Sequence, residues 1–158
     1  MRTRLNLIIC AFTVQFAVSC SAPLPEQCKQ LIAVEKFSVN QKDPVLSKQF
    51  ELFSSEYATR TKDIDKLSIS DSFLKSTQQK LVQNYNELSK NFMDQANQSK
   101  QLELIEQNPP SNEREKLAQL EKVIQLSEQT REFSKQSSNN LLAIDTLFSD
   151  AKKFCQKQ

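Results

Sequence analysis

The sequence contains no glycine, no histidine and no tryptophan among its 158 residues. Tight hairpin turns in β-sheets need residues that accept positive φ, and glycine does this most easily. A chain without glycine has few such turns, and the Gln, Lys, Glu, Leu and Ser that dominate after residue 40 suit the surfaces of long helices. We therefore predict an all-α fold, with a length that suits one domain.

The missing histidines and glycines also exclude several kinds of chemistry. Without histidine there is no imidazole for general acid–base catalysis, for a catalytic triad or for a metal site. Without glycine there is no phosphate-binding glycine loop and no dinucleotide-binding fingerprint. Neighbouring carboxylates such as Glu103 with Glu106 are typical of a solvated helix face. The sequence therefore predicts a non-enzymatic protein that binds no cofactor and no metal.

The first 19 residues carry the features of a signal peptide. Arg2 and Arg4 precede a largely apolar stretch at residues 5–16, and the small residues Ala-Val-Ser follow at 17–19. The apolar stretch is shorter than the roughly 20 residues that span a bilayer. A transmembrane anchor or a buried helix is therefore the less favoured interpretation of this segment.

The segment Ala17-Val18-Ser19-Cys20 resembles the lipobox of bacterial lipoproteins, in which the cysteine is acylated and becomes the new N-terminus. It departs from the commonest lipobox, because Ala17 stands where leucine is usual, and an ordinary signal peptidase also accepts Ala-Val-Ser. The resemblance implies lipidation of Cys20, a tether at residues 20–25 and a lipid anchor in the cell envelope. Ser21 is similar to the residue that follows the lipidated cysteine in outer-membrane lipoproteins, which favours the outer membrane in a bacterium with two.

The mature chain would carry no net charge. The sequence has 21 basic and 19 acidic residues, and removal of Arg2 and Arg4 with the leader leaves 19 of each. A neutral chain has neither the basic surface that binds nucleic acid nor the basic face that binds anionic lipids. We therefore expect no nucleic-acid partner and a membrane attachment that depends on the lipid.

Three cysteines remain once Cys10 leaves with the leader. If Cys20 carries lipid, as the resemblance implies, Cys28 and Cys155 are left to form a disulfide in an oxidising compartment. The alternative is that all three are free or form bonds between molecules.

Apolar spacing and capping residues divide residues 26–158 into four helices. The predicted ranges are 26–39, 43–64, 68–107 and 113–154. Ser68 with Asp71 and Asn112 with Glu115 are candidate capping boxes for the last two. Leucines seven residues apart in the third helix have the period of a left-handed bundle: Leu67, Leu74, Leu81 and Leu88. The fourth helix is expected to bury the stripe Leu117, Leu120, Ile124, Phe133, Leu141, Ile144, Phe148 and Cys155.

Two short and two long helices with short connections favour an up-down four-helix bundle. That topology brings Cys28 and Cys155 to the same end, which we call the base. A three-helix chain, with residues 26–64 as one helix, would place them at opposite ends. The long pair would extend beyond the short pair as a protruding antiparallel coiled-coil hairpin around residues 95–125.

The hairpin region is rich in apolar residues that cannot all face one partner helix. They are candidates for a protein-binding surface or an oligomer contact, unless the bundle packs evenly and buries them. These residues are Leu102, Leu104, Ile105, Leu117, Leu120, Val123 and Ile124.

Three functions remain open at this point. The favoured one is a lipid-anchored interaction, scaffold or chaperone protein that binds an unknown envelope protein. The alternatives are a soluble secreted helical binding protein without lipid and a self-assembling coiled-coil structural protein.

Overall fold

The computed structural model describes residues 22–35 and 46–158, and 86% of these residues are helical, with no strand among them. Four helices lie within these ranges: α1 Leu24–Ala33, α2 Leu46–Asp65, α3 Ser72–Gln107 and α4 Glu113–Cys155. For the part of the chain that the structure describes, the predictions of an all-α fold and of four helices are confirmed. Helix α1 begins at Leu24, two residues before its predicted start, and ends at Ala33; Val34 and Glu35 form a turn, so the predicted continuation of the helix through these two residues is wrong. The leader, Cys20 and the predicted start of the second helix lie outside the described residues.

Helix α3 is the central element, with α2 on one side and α4 on the other. Both neighbours run antiparallel to it, because residue numbers rise in one helix as they fall in the other. Against α2, Gln78 of α3 lies near Ile64 and Ser89 near Ser54. Against α4, the ring of Phe73 stacks on Phe154 at 4.6 Å, and Gln98 contacts Gln129. Helix α1 packs on α4 and α3 at the base.

The hydrophobic core lies mainly between α1, α3 and the base halves of α2 and α4. The heptad leucines of α3 that the sequence singled out are fully buried there: Leu74, Leu81 and Leu88. Tyr57 and Tyr85 are buried side by side, with ring centroids 5.9 Å apart. Because each fully buried leucine contributes about 2 kcal/mol, this end of the molecule holds most of the apolar stabilisation.

A disulfide between Cys28 and Cys155 ties α1 to the end of α4, with the two Cα atoms 5.8 Å apart. The Nζ atom of Lys152 lies 2.6 Å from the Oε1 atom of Glu35 and adds a second link. Helices as short as the ten residues of α1 are marginal on their own. The prediction that the two cysteines meet is confirmed, and α1 depends on this attachment for its position.

The start of α3 differs from the predicted capping box at Ser68. Asp71 is the N-cap, and its carboxylate accepts a hydrogen bond from the Leu74 N–H at 2.9 Å. The cause is Gln27 of α1, whose Oε1 atom accepts the backbone N–H groups of Ser70 at 2.8 Å and Asp71 at 3.1 Å. These two residues are therefore bound to α1, and the helix begins only after them.

Replacing Gln27 by leucine should lower the free energy of unfolding by about 2–3 kcal/mol, because two backbone N–H groups lose their acceptor in a partly buried place. The Nε2 donations of Gln27 to Ala22 O and Ser70 Oγ are lost as well. Urea unfolding is the measurement, and Gln30→Leu on the same helix is the matched control. Equal midpoints for the two variants would show that Gln27 does not hold the α1–α3 contact.

Helix α4 meets α3 through a seam that includes Phe133 and Ile144 of the predicted stripe but departs from the stripe in the first half of the helix. Its buried and half-buried residues along this seam alternate steps of four and three, which is a heptad repeat. They are Gln119, Val123, Leu126, Thr130, Phe133, Ser137, Asn140, Ile144, Leu147, Ala151 and Phe154.

The predicted burial of Leu117, Leu120, Ile124 and Leu141 is therefore wrong, since all four are exposed. The phase of the seam is fixed by apolar residues at the base, where Ile144 and Ala151 are buried. Continued along the helix, that phase places Leu126 and Ser137 against α3.

Helix α2 accompanies α3 further than the predicted hairpin allowed. Leu46, its first residue, lines a groove with Leu102, Glu103 and Glu106 of α3, and Glu51 pairs with Lys100. The contact between α3 and the described part of α2 therefore reaches to about residue 106 and does not stop at residue 95. We call residues 104–124 the distal arm.

Candidate functional site

The tip of the distal arm is held by hydrogen bonds between the two long helices. The side chain of Asn108 donates to the carbonyl of Leu104 at 2.7 Å, and Gln119 of α4 donates to the carbonyl of Asn108 at 2.8 Å. Pro109 and Pro110 cannot continue a helix that needs their N–H groups. The tip is thus an ordered connection that sets α3 against α4.

The first turn of α4 is capped from two sides. Asn112 is the N-cap, and its Oδ1 atom accepts the Glu115 N–H at 2.9 Å, as predicted. The Glu115 carboxylate does not accept the backbone N–H of Asn112, as a capping box requires, but accepts the hydroxyl of Ser111 at 2.7 Å and its N–H at 2.8 Å. These hydrogen bonds from Ser111 lower the pKa of Glu115 below its usual value. The carboxylate form is therefore the one that caps the helix.

None of the seven apolar residues predicted for partner binding is buried. Their exposed fractions are 57% for Leu104, 63% for Leu117, 56% for Leu120 and 52% for Ile124. The other three are half-buried: Leu102, Ile105 and Val123. Val123 belongs to the seam with α3, and Leu102 lies in the groove with Leu46. The even packing that would bury all seven is not what the structure has.

Leu117, Leu120 and Ile124 lie on one face of α4. The seam follows a seven-residue repeat. Residues of α4 that are separated by a multiple of seven therefore lie on the same side of the helix with respect to α3. Leu117 and Ile124 stand five and four heptads before Lys152, and Leu120 stands five heptads before Cys155. Cys155 is bonded to Cys28 of α1, and Lys152 pairs with Glu35, two residues after the end of α1. The three residues, which we call the distal stripe, therefore continue the α1-facing side of α4 beyond the end of α1.

A second exposed apolar side chain, that of Leu142, was not predicted from the sequence. Leu142 is 68% exposed and borders a shallow groove between α3 and α4 with Lys80, Asn84 and Asn139. The leucine pair at 141–142 was a possible signal, because a helix seam takes only one of two adjacent residues. Ala143 and Leu147 also line the groove but are half-buried, so Leu142 is its one exposed leucine, whereas the distal stripe has three exposed leucine and isoleucine side chains.

The middle of the α3–α4 seam is polar. Gln98 donates to Gln129 at 3.1 Å and accepts from the Thr130 hydroxyl at 2.7 Å. The amide nitrogen of Gln95 and the hydroxyl of Ser137 are buried without a hydrogen-bond partner. Unsatisfied buried polar groups cost stability. The seam between the base and the distal arm is therefore held less firmly than the base itself.

The titratable groups with altered pKa are structural. Burial raises the pKa of Tyr85 to about 12, which the nearby Arg60 partly opposes and Tyr57 adds to. Burial, followed by the charge of Glu56, also raises the pKa of Tyr57. Both phenols lie in the core between α2 and α3, so they stay protonated at neutral pH.

Two further features of the described residues bear on the site. No group of three or more His, Cys, Asp or Glu side chains among residues 22–35 and 46–158 is placed to hold a metal ion. Within the same ranges, no helix combines the length and the apolar character that crossing a bilayer requires. The distal stripe is the largest group of exposed apolar side chains on one described helix face.

Comparison with known proteins gives no indication of what the distal stripe binds. The chain matches no family model, no curated protein and no solved structure.

Proposed function

We propose that this chain is a lipid-anchored protein of the bacterial cell envelope that acts by binding protein through its distal arm and carries out no catalysis. Residues 1–19 are the signal peptide, Cys20 is the acylated N-terminus of the mature chain, and residues 26–158 form an up-down bundle. The distal arm extends from this bundle as a coiled-coil hairpin. The role is that of a scaffold or chaperone that holds a partner in the envelope.

The observation that carries the proposal is the separation of the two ends of the molecule. Ala22 lies at the base, where its carbonyl accepts a hydrogen bond from Gln27, and Cys20 is only two residues before it. The disulfide fixes this end to the end of α4. Helix α4 has 43 residues and is therefore about 65 Å long. A lipid on Cys20 would hold the base at the membrane and leave the distal arm outside the bilayer, where it can bind protein.

The exposed side chains of the arm support a protein partner. The distal stripe presents leucine and isoleucine side chains at helical spacing, which is how amphipathic helices are bound. The surrounding charges have both signs, as with Arg114, Glu121 and Lys122, and the mature chain has no net charge. Such a surface suits a helical protein better than a polyanion.

Cell fractionation tests the proposal. The full chain, made with its own leader in a bacterium, is expected in the membrane fraction and to resist extraction by salt and carbonate, because the attachment is covalent lipid. Protein found wholly in the soluble envelope fraction would favour the soluble secreted alternative. Protein in the cytosol with its leader intact would contradict the proposal.

A further inference from the structure

We propose that the partner of the distal stripe is a second copy of this chain, bound antiparallel across a two-fold axis. The inference rests on the interaction role proposed for the distal arm, but it is independent of lipidation. It follows from the order of apolar and charged residues along one face of α4.

The face extends beyond the three residues of the distal stripe in both directions. Continuing the three- and four-residue steps adds one acid before the stripe, and a serine and a base after it. The full series is Glu113, Leu117, Leu120, Ile124, Ser127 and Arg131. None of these residues belongs to the seam with α3, and the structure describes nothing that covers them.

The apolar and charged residues of this series are complementary to those of the same series in a second copy that runs in the opposite direction. When two copies are laid antiparallel with the axis beside Lys122, Leu120 meets Ile124 of the second copy and Leu117 meets Ser127. Glu113 then meets Arg131 of the second copy, and the symmetry repeats each contact. These are the layers of an antiparallel coiled coil, in which the two core positions of the heptad face each other. The apolar contacts are central, and opposite charges close both ends.

The residues that flank this series on α4 favour the same register. In the same alignment Arg114 of one copy lies beside Glu128 of the other, at the positions where flanking charges pair in a coiled coil. The dimer therefore gains two Glu113–Arg131 and two Arg114–Glu128 contacts, against one close approach of Glu121 to itself. No ion pair between described residues engages these four charged groups.

Among the described residues, those before α2 meet α4 beyond the reach of the second copy. The tip of the second copy, at residues 108–112, reaches the level of residues 132–136 of the first, whereas Glu35 and Cys28 contact α4 at Lys152 and Cys155. A two-fold contact uses the same surface on both chains, so it closes on itself and does not grow into a filament. Each base then lies about 50 Å from the axis along α4, and the two anchors stand at opposite ends of the dimer.

A charge swap tests the register. Glu113→Arg and Arg131→Glu each replace two attractions by two repulsions, so each is expected to weaken self-association about tenfold. The double variant restores the pairs and should return to within about threefold of the original. Sedimentation equilibrium of the full chain, purified in mild detergent, measures this, and circular dichroism checks that the helices are kept. The proposal would be overturned if the original protein, the two single variants and the double variant had the same association constant, or if none of them associated.

Cross-linking locates the axis. Glu121 lies next to its own copy across the axis, so Glu121→Cys should form a covalent dimer with a short bis-maleimide. Lys135→Cys, at the same heptad position two heptads along, should not, because the symmetric residues are about 40 Å apart. Equal yields for the two variants would contradict the proposed pairing. The same test in a Cys20→Ala background separates the two proposals, since a dimer that persists there leaves the pairing intact even if lipidation is wrong.

Discussion

Replacing Cys28 and Cys155 together by alanine is expected to lower the free energy of unfolding by about 4–5 kcal/mol. The disulfide joins residues 127 positions apart, and in the chain-entropy model a loop of this size restricts the unfolded chain by that amount. This is comparable with the whole stability of a small domain. Because α1 depends on the bond for its position, its amide protons should lose protection from exchange before those of α3. Urea unfolding and hydrogen exchange measure the two effects.

Chemical reduction provides the control for this variant. Reducing agent should destabilise the original protein by a similar amount and leave the double variant unchanged. If α1 is as protected in the double variant as in the original, then Gln27 and Leu31 hold it without the disulfide. The stability loss would in that case be smaller than the chain-entropy value.

The second large effect is expected at Cys20. On phase separation in a detergent that clouds on warming, the original protein should collect in the detergent phase and Cys20→Ala in the aqueous phase. The reason is that each CH₂ group of a fatty chain contributes about 0.8 kcal/mol when it is buried, and alanine at position 20 carries no such chain. The expected change is therefore close to complete.

Cys10→Ala is the matched control for Cys20→Ala, because it removes the same side chain from the leader. It should leave the protein in the detergent phase, since that residue is absent from the proposed mature chain. Two variants that both stay with the detergent would assign membrane attachment to something other than Cys20. An original protein that is itself aqueous would exclude the lipid anchor.

The helix boundaries were the part of the fold most accessible from sequence. The break at residues 108–112 combines two prolines with the capping residue Asn112, and the structure ends α3 at Gln107 and begins α4 at Glu113. Local signals suffice there because a cap and a proline act on their own backbone. At Ser68 the local signal failed, because Gln27, more than forty residues earlier, binds the backbone of Ser70 and Asp71.

The face of α4 that packs on α3 was not predictable from apolar spacing. The strongest apolar repeat in its first half includes Leu117, Leu120 and Ile124, yet the seam takes Gln119, Val123 and Leu126. Packing at the base fixes the phase, and the heptad repeat carries it along the whole helix. The candidate site results from this conflict, because the apolar side chains that the seam leaves out are exposed.

The cysteine pair was predictable for a different reason. Few cysteines had to be assigned, and the order of the helices alone placed Cys28 and Cys155 at one end. How far α2 extends along α3 was not predictable, because it depends on where Leu46 and Glu51 meet α3 and not on helix length. The described part of α2 reaches further along α3 than the predicted helix lengths indicated.

The lipid anchor is the central claim, and the intact mass of the protein isolated from the bacterial envelope tests it most directly. We expect a chain that begins at Cys20, carries the added mass of fatty acyl groups, and is two hydrogens lighter because of the Cys28–Cys155 disulfide. An unmodified chain, or one that retains residues 1–19, would contradict it.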